Sequence, residues 1–234
     1  MQARMQSEQV QFLQIHSGSA ALEGELIVPD AARGIVLFAH GSGSSRHSPR
    51  NQQVARAIRE AGVATLLFDL LTREEEALEA RTRHLRFDIG LLACRLADAT
   101  RTIKARTAPT ARLKVGYFGA STGGGAALVA AAELGEEIGA VVSRGGRPDL
   151  AADALPRVRS PTLLIVGGLD VAVIQLNELA FARLTCKKEL RIVPHATHLF
   201  EEAGTLEEVA KLAAGWFRSY LNADSGGDAG YRAA

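Results

Sequence analysis

Net charge, cysteine and long apolar runs are all scarce in this chain, and each scarcity removes a class of protein. In 234 residues, 27 Lys and Arg stand against 26 Asp and Glu, a net charge of +1 with both signs interspersed. No electrostatic footprint for nucleic acid or an anionic membrane results, so neither is an expected partner. The longest apolar runs, such as "ATLLFDLL", are far too short to span a bilayer. The opening "MQARMQSEQVQFLQ" lacks an apolar core of the secretory kind, so no export signal is expected. Two cysteines, Cys94 and Cys186, lie far apart without metal or redox spacing. They are expected to be buried free thiols in a reducing compartment, which points to the cytoplasm. No repeat and no Pro- or Ser-rich linker divides the chain.

What remains is 47% hydrophobic and 23% charged, the balance of an ordinary globular protein able to bury a substantial core. The expected organisation is one domain over residues 10–221. A flexible N-terminus over 1–9 precedes it, and the disordered tail "NADSGGDAGYRAA" over 222–234 follows.

The pattern along the chain is strand alternating with helix. "VQFLQI" and "ALEGELIVP", joined by "HSGSA", read as an antiparallel pair. "GIVLFAHG" is a continuous apolar run ending in glycine, as expected of a strand covered on both faces. "NQQVARAIREAG" reads as a helix with Asn51 as N-cap and Gly62 at its C-terminal end. "VATLLFDLL", "LKVGYFGAS", "IGAVVSRGG", "PTLLIVGGLD" and "ELRIVPHAT" are further strands. Leu85, Ile89, Leu92, Leu96, Ala99 and Ile103 form one helical stripe, and a final helix is expected from a Thr205/Glu208 capping box. The run "REEEALEAR" ahead of that stripe reads as a solvated face. Such alternation implies a mostly parallel sheet with helices on both faces, an α/β fold. The inserts near 72–83 and 146–160 are too short for a cap domain.

In such sheets chemistry collects at the carboxyl ends of the strands. Here those ends carry His40-Gly41-Ser42-Gly43, Asp69, Gly119-Ala120-Ser121-Thr122-Gly123, Asp170, and the pair His195 and His198. Serine, acid and histidine follow one another in that chain order, the order of an α/β-hydrolase triad. The roles fit the residue types. A serine hydroxyl needs a base to take its proton, an imidazole can do so near neutral pH, and a carboxylate fixes the imidazole tautomer. The oxyanion formed on attack needs backbone N–H donors, which Thr122 and the loop residue Ser42 or Gly41 can give.

Other readings of the same residues are weaker. "GASTGGGAA" lacks the lysine of a P-loop, and "GSGSSR" has Arg46 where a dinucleotide fingerprint wants glycine. His195-x-x-His198 has metal-ligand spacing but no third ligand in view. Asp170 could cap the following helix. His40 is expected to hold the loop beside it rather than act as a base.

"FAHGSGSSR", "FGASTGGGAAL", "LLIVGGLD" and "THLFEE" together resemble the dienelactone-hydrolase-like branch of the α/β-hydrolases, over roughly residues 10–221. The resemblance implies an eight-stranded, mostly parallel sheet with the second strand antiparallel. It implies the triad Ser121, Asp170 and His198, with His195 the fallback base, and hydrolysis of an ester or related acyl bond. "DLLTREEE" and "SRGGRPDL" also look like features of that branch. Dienelactone hydrolases proper use a cysteine nucleophile, whereas Ser121 stands at that position here. The expected protein is therefore a serine carboxylesterase acting on a small-molecule ester, as a monomer or homodimer, without metal or organic cofactor. Alternatives are thioesterase, acyltransferase or lactone hydrolase chemistry on the same triad, or a non-catalytic ligand-binding scaffold.

Overall fold

A computed structural model describes residues 9–106 and 110–221. The expectations for the N-terminus, save Gln9, and for the 222–234 tail lie outside the described residues.

The described residues build one sheet of eight strands in the order β1-β2-β4-β3-β5-β6-β7-β8. The strands are β1 (Gln9–Ser17), β2 (Ala20–Val28), β3 (Gly34–Ala39), β4 (Ala64–Phe68), β5 (Lys114–Ala120), β6 (Ile138–Arg144), β7 (Thr162–Gly167) and β8 (Lys188–Val193). β2 runs antiparallel to both β1 and β4, and the remaining pairs are parallel. This is the α/β-hydrolase arrangement expected from the sequence.

Among the described residues six α-helices cover the sheet: α1 (Pro49–Glu60), α2 (Arg73–Thr82), α3 (Ile89–Ala105), α4 (Thr122–Leu134), α5 (Val171–Arg183) and α6 (Thr205–Leu221). Alternate residues of one strand feed two cores. Ile35 and Leu37 pack with α3 and α4, while Val36 and Phe38 pack with α1 and α6. That double burial is why β3 to β7 read as continuous apolar runs rather than alternating ones.

Several local expectations change. The α1 N-cap is Ser48, with Pro49 in the first turn, because proline's missing N–H costs nothing there. Asn51 sits one turn inside the helix, buried, and its amide oxygen accepts from Arg144. At α6 the Thr205 hydroxyl donates to the Glu202 carbonyl, and the Glu208 N–H is taken by the Gly204 carbonyl, so no capping box forms. A reciprocal box does form at Thr72 and Glu75, at the start of α2.

That helix is more than a solvated face. Glu75 accepts two hydrogen bonds from the buried Arg95 guanidinium at 2.6 Å, and Arg95 also donates to the Leu70 carbonyl. Glu79, only 2% exposed, holds Arg86 and the Leu85 amide. An inward Glu at i and i+4 thus bolts α2 over the end of β4. Both cysteines are free, but Cys94 is exposed on the outer face of α3 and Cys186 half-buried, so neither is the fully buried thiol expected. Among the described residues no helix is long and apolar enough to cross a membrane.

Candidate active site

The parallel register aligns the strand ends, pairing Ala39 with Gly119 and Gly119 with Ser143. Ser121 follows β5 directly and precedes α4, with φ 51° and ψ −122°. A non-glycine residue in this region costs on the order of 1–3 kcal/mol, which the surrounding structure must hold in place. It is held by its own backbone: its N–H donates to the Arg144 carbonyl at 3.2 Å, and its carbonyl accepts from Gly124 and Arg147 at 2.9 and 3.0 Å.

The flanking glycines have a steric reason. A Cβ at 119 would lie 2.4 Å from the Gly123 carbonyl oxygen, and one at 123 would lie 2.0 Å from that of Ala39. One at 41 would fall 2.9 Å from the Ser121 Cβ. The turn therefore tolerates no side chain at 119 or 123, two residues to either side of the serine, or at 41 opposite it. At Gly123 a Cβ would meet carbonyl oxygens at the β3 end rather than open space, so this glycine serves close packing of α4 on the sheet.

Asp170 and His198 come together. Asp170 is the N-cap of α5 but makes no side-chain cap bond, and its Oδ2 lies 2.6 Å from His198 Nδ1. A carboxylate at that distance fixes the proton on Nδ1 and leaves Nε2 as the free acceptor. His198 is part-exposed, whereas His195 is exposed at φ 62° and has no such partner among the described residues. Among the described residues no hydrogen bond joins Ser121 Oγ to His198; contacts of this kind commonly tighten only in complex with substrate.

Thr122 opens α4, so its N–H has no acceptor within the helix and points out of its first turn. The Ser42 hydroxyl lies 3.3 Å from that of Thr122, which brings the loop 41–43 beside it. The loop is anchored twice. Buried His40 faces the Gly41 carbonyl with Nδ1 at 3.0 Å and accepts the Leu70 N–H on Nε2 at 2.9 Å. Burial lowers the His40 pKa, partly countered by that carbonyl and by Asp69, so the imidazole is held neutral with the proton on Nδ1. Asp69 accepts the Arg46 backbone N–H at 2.8 Å and pairs with its guanidinium.

The segment "SRGGRPDL" has a structural role that its sequence did not disclose. It touches both Ser121 and His198. Arg144 supplies the carbonyl for Ser121, and Gly145, at φ +50°, passes against His198. A Cβ at 145 would lie 3.1 Å from the His198 carbonyl oxygen and 3.6 Å from its Cε1. The Arg144 guanidinium is buried between Asn51 Oδ1 (3.1 Å) and the Phe200 ring (5.9 Å to its centroid), two residues past His198. Burial, with Arg50 nearby, pulls its pKa down to about 10. Among the described residues no carboxylate pairs with it. Two glycines between charged residues was the only sequence signal for this close approach. Among the described residues no group of three or more His, Cys, Asp or Glu is placed to hold a metal.

Comparison with known proteins agrees with this architecture. The model of the dienelactone hydrolase family matches residues 22–221. A crystal structure of dienelactone hydrolase from Anabaena variabilis superposes with a TM-score of 0.89 at 61% identity, covering 92% of this chain and 99% of that one. The Pyrococcus furiosus esterase Pf2001 shares the fold with a TM-score of 0.74 at 17% identity, covering 92% and 94%. Proteins of two Mycobacterium tuberculosis strains, each named "Putative phosphoribosyl transferase", are 59% identical over 209 residues, 89% of this chain. The chain spans about half, 46%, of the length of those curated relatives.

Proposed function

The chain belongs to the dienelactone hydrolase family, and from that premise we propose that it is a serine hydrolase of small carboxylic esters. The observation that carries this reading is the Asp170–His198 pair at 2.6 Å, behind a serine held at φ 51° on a strand-to-helix turn. In the proposed cycle Ser121 Oγ attacks the ester carbonyl as His198 Nε2 takes its proton. The tetrahedral oxyanion accepts from the Thr122 amide and from the amide of Ser42 or Gly41, groups fixed before the substrate arrives. His198 then protonates the leaving alcohol, water enters, and the same imidazole activates it to release the acid. Asp170 holds the imidazole and stabilises its charged form throughout.

Serine in place of cysteine favours an ordinary ester over the lactone of dienelactone hydrolases proper. A hydroxyl nucleophile has a far higher pKa than a thiol and depends wholly on its base. The whole reading includes a cytoplasmic location, which the two free thiols favour. The phosphoribosyl transferase name of the mycobacterial relatives we assign to the part of those proteins outside the matched stretch. Against a phosphate loop at the glycine cluster of this chain stand the absence of a P-loop lysine and the close packing of Gly123 on the Ala39 carbonyl. The test is hydrolysis of p-nitrophenyl acetate and butyrate together with labelling by a fluorophosphonate. Turnover and a covalent adduct on Ser121 are expected. Turnover that survives in Ser121→Ala would sink the assignment, and inertness towards a broad ester panel would favour the ligand-binding scaffold.

A further inference from the structure

A cavity of about 630 Å³ opens beside the loop that carries Ser42, and a space of about 20 Å³ lies behind it. Ser42, Gly43, Leu71 and Glu76 border both, and the inner one reaches Thr122. Glu76 is the ionisable residue common to the two linings. Its neighbours are all committed: Glu75 to Arg95, Glu79 to Arg86, and Asp69 to Arg46. The Glu76 carboxyl itself has no hydrogen bond or ion pair among the described residues; only its backbone N–H is used, donating to the Thr72 carbonyl. Half-buried, and next to the acids Asp69, Glu79 and Glu75 with Arg86 the opposing charge, it has its pKa raised, burial being the larger cause. An unpaired carboxyl on a cavity wall is a hydrogen-bonding group waiting for a partner.

We propose that Glu76 is a specificity-determining residue that accepts a hydrogen bond from a hydroxyl on the acyl part of the substrate. This rests on the esterase reading above. The side of the substrate follows from the geometry. The inner space is lined by Gly41, Ser42 and Thr122, the proposed oxyanion donors, and His198, which must stand over the leaving alcohol, lines neither cavity, so we place the acyl chain on this side. The chemistry follows from the charges. Glu76 and Asp69 disfavour a carboxylate, while Arg50 and Arg73 in the same wall disfavour an ammonium. An uncharged donor escapes both penalties, and Ser44, Ser45 and Ser48 offer further hydroxyls to such a group.

The test compares p-nitrophenyl 3-hydroxybutyrate with the butyrate, the hemisuccinate and the 4-aminobutyrate. For wild type, kcat/KM for the hydroxyacyl ester is expected about tenfold or more above that for the others, since a site built to bind a hydroxyl rejects analogues lacking it. In Glu76→Leu the ratio of hydroxybutyrate to butyrate is expected to fall to about one, and Glu76→Gln, which still accepts, keeps part of it. Glu74→Gln, on the outer side of α2, controls for helix damage and keeps the full ratio. A ratio unchanged in Glu76→Leu, or a preference for the hemisuccinate or the aminobutyrate, overturns the proposal. A second arm needs no turnover: binding of 3-hydroxybutanamide against butanamide, followed by NMR in Ser121→Ala with and without Glu76→Leu. A Glu76-dependent preference there without any ester hydrolysis removes the esterase reading and leaves the pocket assignment standing. Equal binding of the two amides removes the pocket assignment.

Discussion

Asp170 occupies the N-cap of α5 yet gives its carboxylate to His198 at 2.6 Å instead of to the helix. The helix therefore does without its usual side-chain cap, and Asp170→Asn is expected to separate function from stability. An N-cap substitution to Asn is close to neutral for a helix. The amide, however, presents the wrong hydrogen-bonding pattern to Nδ1, so kcat on p-nitrophenyl butyrate should fall by roughly 10²–10⁴-fold. Thermal unfolding beside the kinetics checks this, with Tm within a few degrees of wild type.

The two histidines of "PHATH" should behave differently. His198→Ala removes the proposed base and is expected to lower kcat by roughly 10³-fold or more. His195, exposed and not bonded to Asp170, should be replaceable by alanine within severalfold. Loss of activity in His195→Ala alone would contradict the assignment.

Gly145 is conformationally demanding, at φ +50° with the His198 carbonyl 3.1 Å from where a Cβ would stand. Alanine there must bear left-handed strain of roughly 1–2 kcal/mol and push on the base loop. Gly145→Ala should lower Tm by roughly 2–8 °C and reduce kcat more than KM changes, as measured by denaturation and steady-state kinetics.

The buried imidazole of His40 gives the fold a pH dependence. Its folded pKa lies below the unfolded value of about 6.5, so near neutral pH it is uncharged in both states and costs nothing. As pH falls below about 6.5 the unfolded chain takes the proton first, and stability is lost down to the folded pKa. The loss approaches 1.4 kcal/mol per pH unit. Urea unfolding at pH 7.5 and 5.5 should show a loss of about 1 kcal/mol in wild type that is absent from His40→Asn. That variant should be less stable at pH 7.5, because the Leu70 amide loses its acceptor.

Ser121, His40 and the strands around them were legible in the sequence because their signals are local. A strand buried on both faces must be apolar throughout, and a turn as tight as 119–123 must be glycine-rich, so β3, β5 and the elbow announce themselves. Chain order alone brought Asp170 and the 195–198 stretch to neighbouring strand ends. The choice between His195 and His198 depended on resemblance until the fold set one of them against Asp170.

Other features arise only from contacts between distant segments. "REEEALEAR" reads as solvated because charge normally seeks water, yet Arg95 and Arg86 draw Glu75 and Glu79 inward and leave Glu76 facing a cavity. Asn51 resembles a cap, but Ser48 and Pro49 start the helix earlier and free its amide for Arg144. "SRGGRPDL" carries no local signal of chemistry, since its role is to bond the Ser121 backbone and to pass closely against His198. The sequence by itself determined the alternation, the elbow and the order of the reactive groups, through hydrophobic periodicity and backbone sterics. The tertiary structure decided which charges are paired, which stay free and what stands behind the base, because those depend on which side chains long-range packing brings within reach.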